Sequence, residues 1–184
     1  LPALTYVDNP DYATTSELLS LARALEADPD DERDLCISYG DVIFKRYILD
    51  RLAEPEDDFV IIADTEWRDS ANRGRAADWV ACSQPYSRRA FYQQVFLERA
   101  GEDLAPEEIH GEWMGFLRVS AAALPRLRAV VAAMAADPAN RKAKLHHLLS
   151  ELVARGEPVR VLYTTGHWLD VDSLDDVVAA GSFA

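Results

Sequence analysis

The sequence predicts an α/β domain with a mixed, mostly parallel sheet flanked by helices, and three observations carry that expectation. Apolar runs of strand length at 35–39 and 59–63 read as strands covered on both faces. Between such runs lie segments of helical period, as with Leu18, Leu21, Ala22 and Leu25 at i, i+3, i+4 and i+7. Both runs stop at an acidic residue, Asp41 after Gly40 in one case and Asp64 in the other, and ligands of α/β sheets collect where strands end.

Taken in order, residues 4–7 alternate like a strand and are closed by Asp8-Asn9-Pro10. Thr14, Thr15 or Ser16 can cap a helix to about residue 27, and the acidic run 28–34, broken by Pro29, is a solvated loop. The run 35–39 leads through Gly40-Asp41 to Val42-Ile43-Phe44 and a helix to about residue 53. After the strand at 59–63 comes a polar loop over 66–78. Strands follow at 79–83 and, with a short helix as the competing reading, at 91–97. A strand at 113–119 precedes an alanine-rich helix from about 121 to 136, which Asp137-Pro138 breaks. Leu145, Leu148, Leu149 and Leu152 mark one face of a helix over 141–154 that Gly156 ends. The last strand, 159–163, is followed by a tight approach at 166–169 and a helix capped by Ser173 to about residue 180.

At 184 residues and 49% hydrophobic the chain suffices for one sizeable core, so 1–184 reads as a single domain. The 32 acidic against 19 basic residues, a net charge of -13, argue against a nucleic-acid backbone or an anionic membrane surface as partner. A local pocket of arginine can still receive a small anion. Cys36 and Cys82 each lie in a strand-like run without a second ligand nearby and read as buried free thiols of a cytosolic protein. No apolar run approaches the roughly 20 residues that span a bilayer and no signal peptide opens the chain, so the expected location is the cytoplasm. The chain enters on Leu1 and directly on a strand-like run, as a segment cut from something longer would.

Two acidic sites stand just beyond apolar strands: Gly40-Asp41, and Asp170-Val171-Asp172 ahead of a helix cap. Mg²⁺ is a hard cation that takes one or two protein carboxylates and fills its octahedron with phosphate oxygens and water, so carboxylates converging at one sheet edge would suit it. A plain turn is the competing reading of Gly-Asp. His110, His146, His147 and His167 form no zinc pattern and read as structural. Arg68, Arg73, Arg75, Arg88 and Arg89 surround the 79–83 strand; Arg88 and Arg89 are the candidates for a grip on a phosphate or phosphonate, and the others balance surrounding acids. No Ser-His-Asp order, nucleophile elbow, Walker loop or Gly-x-Gly-x-x-Gly is present.

Four motifs in order, Asn9-Pro10-Asp11-Tyr12 with residues 15–21, Tyr39-Gly40-Asp41-Val42, Gly111-Glu112-Trp113-Met114-Gly115 and Trp168-Leu169-Asp170-Val171-Asp172, resemble the nucleotidyltransferase family of phosphocholine and sugar-phosphate nucleotidylyltransferases. The resemblance covers almost the whole chain. The stretches Cys82-Ser83-Gln84-Pro85-Tyr86-Ser87 and 166–174 look most like the phosphonate-pathway cytidylyltransferases, including the domain fused behind phosphoenolpyruvate phosphomutase in fosfomycin biosynthesis.

That resemblance implies a Rossmann-like nucleotidyltransferase fold and a Mg²⁺-dependent transfer of CMP from CTP to a small phosphonate, 2-hydroxyethylphosphonate or 2-aminoethylphosphonate, in antibiotic or other phosphonate biosynthesis. It implies Asp41 and Asp172 as metal-binding catalytic residues, and Ser16, Glu17 and Ser20 in the segment facing the nucleotide base. Glu112, with Trp113 beside it, would line the acceptor pocket, joined by Asp64; the role of Arg88 and Arg89 in holding the phosphonate rests on charge alone. Fusion or assembly with a phosphoenolpyruvate phosphomutase domain, or a homo-oligomer, fits the same picture. The family's opening strand and Gly-rich triphosphate loop find no match here, which would leave these residues incomplete as a catalyst. A phosphocholine or sugar-phosphate nucleotidylyltransferase is the alternative within the class, and a noncatalytic regulatory or assembly module the alternative outside it.

Overall fold

The computed structural model describes residues 4–69, 75–89, 93–181 and 183. Helix α1 (Glu17–Ala27) is followed by strands β1 (Leu35–Ser38) and β2 (Val42–Phe44), helix α2 (Tyr47–Ala53), and strands β3 (Phe59–Asp64), β4 (Trp79–Cys82), β5 (Leu97–Gly101) and β6 (Gly111–Val119). Helices α3 (Leu124–Ala136) and α4 (Leu145–Ala154), strands β7 (Val159–Thr164) and β8 (Trp168–Asp170) and helix α5 (Leu174–Ala180) complete the order. The main sheet runs β5-β4-β6-β3-β7, with β1 also paired to β6; β2 and β8 form a separate ladder.

The sheet is mixed, as expected, but the parallel share is smaller than predicted: β3–β7 is parallel, whereas β1–β6, β3–β6, β4–β5 and β4–β6 are antiparallel. The reason is β6, nine residues long, which lies between β3 on one side and β1 and β4 on the other and runs against all three. Strand β3 is buried along its whole length. Its alternating residues feed two cores: Phe59 and Ile61 join Leu117, Leu127, Leu148 and Leu149 under α1, α3 and α4, while Val60 and Ile62 join Ile48, Leu52, Met114 and Phe116 under α2. Each fully buried aliphatic side chain of this kind contributes roughly 1.5–3 kcal/mol.

One irregularity in β6 shapes the site. Between the Ile61–Leu117 and Ala63–Trp113 pairs, one residue of β3, Ile62, stands against three of β6, Met114, Gly115 and Phe116. Gly115 takes up the extra length at φ +78°, and a Cβ there would stand 2.3 Å from the Tyr39 ring. Glycine is needed both for the backbone conformation and for the approach of Tyr39, whose ring lies 5.4 Å from that of Trp113.

Several local expectations change. Residues 4–7 lie in no strand, and Leu4 and Tyr6 are exposed; an alternating pattern makes a strand only where another strand stands beside it. Strand β1 is not covered on both faces: Leu35 and Ile37 pack on the first core while Cys36 and Ser38 face outward, so Cys36 is exposed and only Cys82 is the buried thiol. The strand expected at 91–97 begins at Leu97, with Phe96 bridging Arg160; Phe91 and Tyr92 lie outside the described residues. Helix α4 starts at Leu145 rather than Arg141. Among the described residues no helix is long and apolar enough to cross a membrane.

Candidate active site

The β2–β8 ladder builds the first part of the site. Val42 pairs with Asp170, and one step further the Val171 N–H donates to the Asp41 carbonyl at 2.9 Å, which sets Asp41 between Asp170 and Asp172. Carboxylate oxygens of Asp41, Asp170 and Asp172 lie within 4.8 Å of one another. Burial, then the charges of Asp172 and Asp41, push the Asp170 carboxyl up to about 6. Three oxygen donors crowded in this way could hold a hard divalent cation, and the donor set fits Mg²⁺.

The segment carrying Asp170 and Asp172 is held by the cap of α5 and by one arginine. The Asp176 carboxylate accepts from the backbone N–H groups of Asp172 and Ser173 and from the Ser173 hydroxyl. Arg75 donates to the Asp170 carbonyl and to the Asp176 carboxylate, and its Nη1 stands 3.9 Å from the Asp172 carboxylate. Sequence reasoning gave Arg75 to surface charge balance; in the fold it reaches the acidic group. No sequence signal separated it from its neighbours, since its role depends on a contact 95 residues away. Asp170 was legible only as the companion of Asp172.

Glu112 and Asp64 form the floor beside this group. They stand opposite each other in the β3–β6 register, and Glu112 also faces Trp79 of β4. Asp64 is fully buried with its carboxylate occupied: Oδ1 accepts from the Glu66 and Gly166 N–H groups at 2.9 Å each, and Oδ2 from the Trp168 indole at 3.0 Å. It is a brace that ties β3 to the turn before β8. Glu112 is 5% exposed, and burial, reinforced by Asp64 and Asp170, pushes its carboxyl up to about 8. Trp113 points the other way: its indole donates to the Phe116 carbonyl at 2.8 Å and its ring joins the first core.

The remaining predicted residues scatter. Ser16 is the N-cap of α1 without a capping bond, Ser20 accepts from the Asn9 amide at 3.0 Å, and the Glu17 carboxylate accepts from the Leu145 N–H at 2.9 Å. Glu17 lies near a buried network that sequence reading did not foresee, in which Asp78 accepts from the Tyr39 hydroxyl at 2.7 Å and lies 2.6 Å from His146 Nδ1. Arg88 and Arg89 are exposed, and among the described residues neither forms an ion pair; Arg73 lies outside the described residues. His110 accepts from the Cys82 N–H and His167 bonds to the Tyr47 hydroxyl, structural roles as expected.

No protein-family model matches the sequence, and no curated protein matches it. Solved structures do. The inositol-1-phosphate CTP transferase of T. maritima superposes with a TM-score of 0.66 at 15% identity, covering 91% of this chain and 60% of that one. The CTP:phosphocholine cytidylyltransferase of Streptococcus pneumoniae gives 0.60 at 12% identity over 95% of this chain and 66% of its own. A UDP-glucose pyrophosphorylase complexed with UDP-glucose gives 0.62 at 8% identity over 92% and 62%. The chain thus spans less than two thirds of the length of these structures. It carries the mixed α/β fold that these nucleotidyl-transferring enzymes share.

Proposed function

We propose that this chain is the greater part of a Mg²⁺-dependent cytidylyltransferase domain that joins CMP from CTP to a small phosphonate. The observation that carries the reading is the convergence of Asp41, Asp170 and Asp172 at one point of the fold, beside the buried Glu112. The solved neighbours support it, two of them being described as CTP-using transferases. The phosphonate acceptor rests on the sequence resemblance, as does a partnership with a phosphoenolpyruvate phosphomutase domain.

In this reaction an anionic phosphonate oxygen attacks the α-phosphorus of CTP. The new P–O bond forms as the bond from that phosphorus to the α,β-bridging oxygen breaks, and pyrophosphate leaves with the electron pair. Two anions must meet, so the need is for positioning and positive charge rather than a protein nucleophile. Mg²⁺ bound by Asp41 and Asp172, with Asp170 beside them, would supply that charge at the phosphate oxygens. Arg75 holds the Asp170–Asp176 segment in place through the Asp170 carbonyl and the Asp176 carboxylate.

Pyrophosphate release by the full-length protein, with CTP, Mg²⁺ and a panel of phosphonates and phosphomonoesters, tests the reading. Release with a phosphonate and not with phosphocholine or sugar phosphates is expected. The pyrophosphorylase among the neighbours favours sugar phosphates as the second reading, and a sugar-phosphate-specific signal would replace the first with it. Silence across the panel would favour a noncatalytic module.

A further inference from the structure

Arg160, the second residue of β7, stands beside Val60 in the parallel β3–β7 register. Its side chain therefore leaves the sheet on the face that Val60 and Leu162 share, toward α2. The guanidinium carbon lies 5.7 Å from the centre of the Phe96 ring. Nε and Nη1 are buried without a hydrogen-bond partner, and among the described residues Arg160 forms no ion pair. Buried donors are almost always satisfied, and a charged one left unmet costs more than a neutral one.

A cavity of about 600 Å³ opens at this side chain. Glu54, Glu56 and Asp57 line it from the segment between α2 and β3, and Pro55 and Leu162 give it an apolar patch. The segment is held from behind, where Arg118 donates to the Pro55 and Asp57 carbonyls at 2.9 and 3.1 Å. The Arg160–Val60 pair stands near the start of two strands whose far ends are Thr164 and Asp64, roughly 13 Å away at the usual rise of a strand. The cavity is thus apart from the acidic group of Asp41, Asp170 and Asp172.

A bare anion would meet Arg160 but also three carboxylates, and a bare cation would leave the guanidinium without an acceptor. We propose that this cavity binds a small zwitterion, an oxyanion and an ammonium group joined by a short aliphatic chain. The oxyanion, a carboxylate or a phosphonate, sits on Arg160, and the ammonium on Glu54, Glu56 and Asp57. A turn of the guanidinium about its last side-chain bonds brings its unmet edge to the oxyanion, which it holds in paired charge-assisted hydrogen bonds. Pro55 and Leu162 cover the chain between the two ends, and the volume is that of a small-molecule site.

Titration calorimetry on the full-length protein tests this with γ-aminobutyrate and 3-aminopropylphosphonate, and with butyrate and butylamine as analogues bearing one charge each. At least one zwitterion is expected to bind roughly ten-fold or more tightly than either analogue, the range of a hydrogen bond to a charged group, and the tighter of the two names the oxyanion. The Arg160 Nε–H resonance should shift as that zwitterion is added. In Arg160→Met, which keeps an apolar stem beside Phe96, binding should fall by roughly ten-fold or more, whereas Asp172→Ala should bind as the wild type does. No binding of either zwitterion, or equal binding of butyrate or butylamine, overturns the proposal whether or not the variants fold. Undiminished binding in folded Arg160→Met overturns it too, and loss of binding in Asp172→Ala would move the zwitterion to the acidic group.

Discussion

Among the described residues, two groups bring metal-binding side chains together, Asp78, Glu102 and His146 beside α4, and Asp41, Asp170 and Asp172 beside the β2–β8 ladder, each with ligating atoms within 4.8 Å of one another. Their surroundings differ. In the first, Asp78 takes the Tyr39 hydroxyl and pairs with His146, and Glu102 pairs with Lys144. Burial opposes ionisation of Asp78, but the bonds from His146 and Tyr39 outweigh it and hold the carboxyl below its usual range. In the second, no donor among the described residues reaches the Asp41 carboxylate, Arg75 approaches Asp172 only at 3.9 Å, and Asp170 is pushed up to about 6. Proximity is common to both; what separates them is the direction in which the surroundings move a carboxyl, down for Asp78 and up for Asp170. Neighbours that favour the ionised form make the first a fixed part of the structure, and like charges crowded in the second suit it to a cation.

Substitution should divide the two clusters cleanly. Asp172→Ala is expected to lower Mg²⁺-dependent pyrophosphate release by roughly a thousand-fold or more, the scale of losing metal-borne charge stabilisation, while the melting temperature stays near that of the wild type. Normal turnover in that variant would sink the metal assignment. Asp78→Ala should do the reverse, costing about 3–5 kcal/mol of stability in urea denaturation because it strands buried His146 and Tyr39. Its residual activity should follow the folded fraction, and a loss of activity in a fully folded protein would move Asp78 into the active site. Because the Asp78 carboxyl is held low, its stabilisation is present at neutral pH and disappears only as pH falls through that depressed value.

Glu112 gives a smaller effect with the opposite sign. Its carboxyl is raised in the folded chain, so between about pH 4.5 and 8 the folded state binds more protons than the unfolded one, and stability falls as pH rises. Glu112→Gln should therefore be more stable than the wild type by on the order of 2–4 kcal/mol at about pH 9 in EDTA, with the gain shrinking toward zero in acid. Thermal melts of the two proteins across pH would check this. An unchanged or negative difference at high pH would mean that the site carries no unmet charge.

Much of the fold was legible. The 3.6-residue period of Leu18, Leu21, Ala22 and Leu25 became α1, the unbroken run 59–63 became the buried β3, and the Ser173 cap was found in place with Asp176 completing it. These depend on local chemistry, where spacing, propensity and capping act over a few residues. Strand 4–7 and the two-sided cover of β1 failed because strand pairing depends on neighbours that the local pattern does not name. The site divides in the same way: Asp41 and Asp172 stood out by their address after strands, while the exposed Arg88 and Arg89 could not be told from Arg75 by composition.

By itself, then, the sequence determined the helices, most of the strands, the order in which they follow and the acidic residues at their ends, because side-chain period and turn chemistry are written locally. Only the tertiary structure decided that β6 runs against its neighbours, that Asp64 is a brace and Trp113 a core residue, and that Arg75 reaches Asp170 and Asp176. It also decided that Glu112 is buried among like charges. Those outcomes rest on which groups meet across long separations in the chain, and whether a charge finds a partner is settled only when they do.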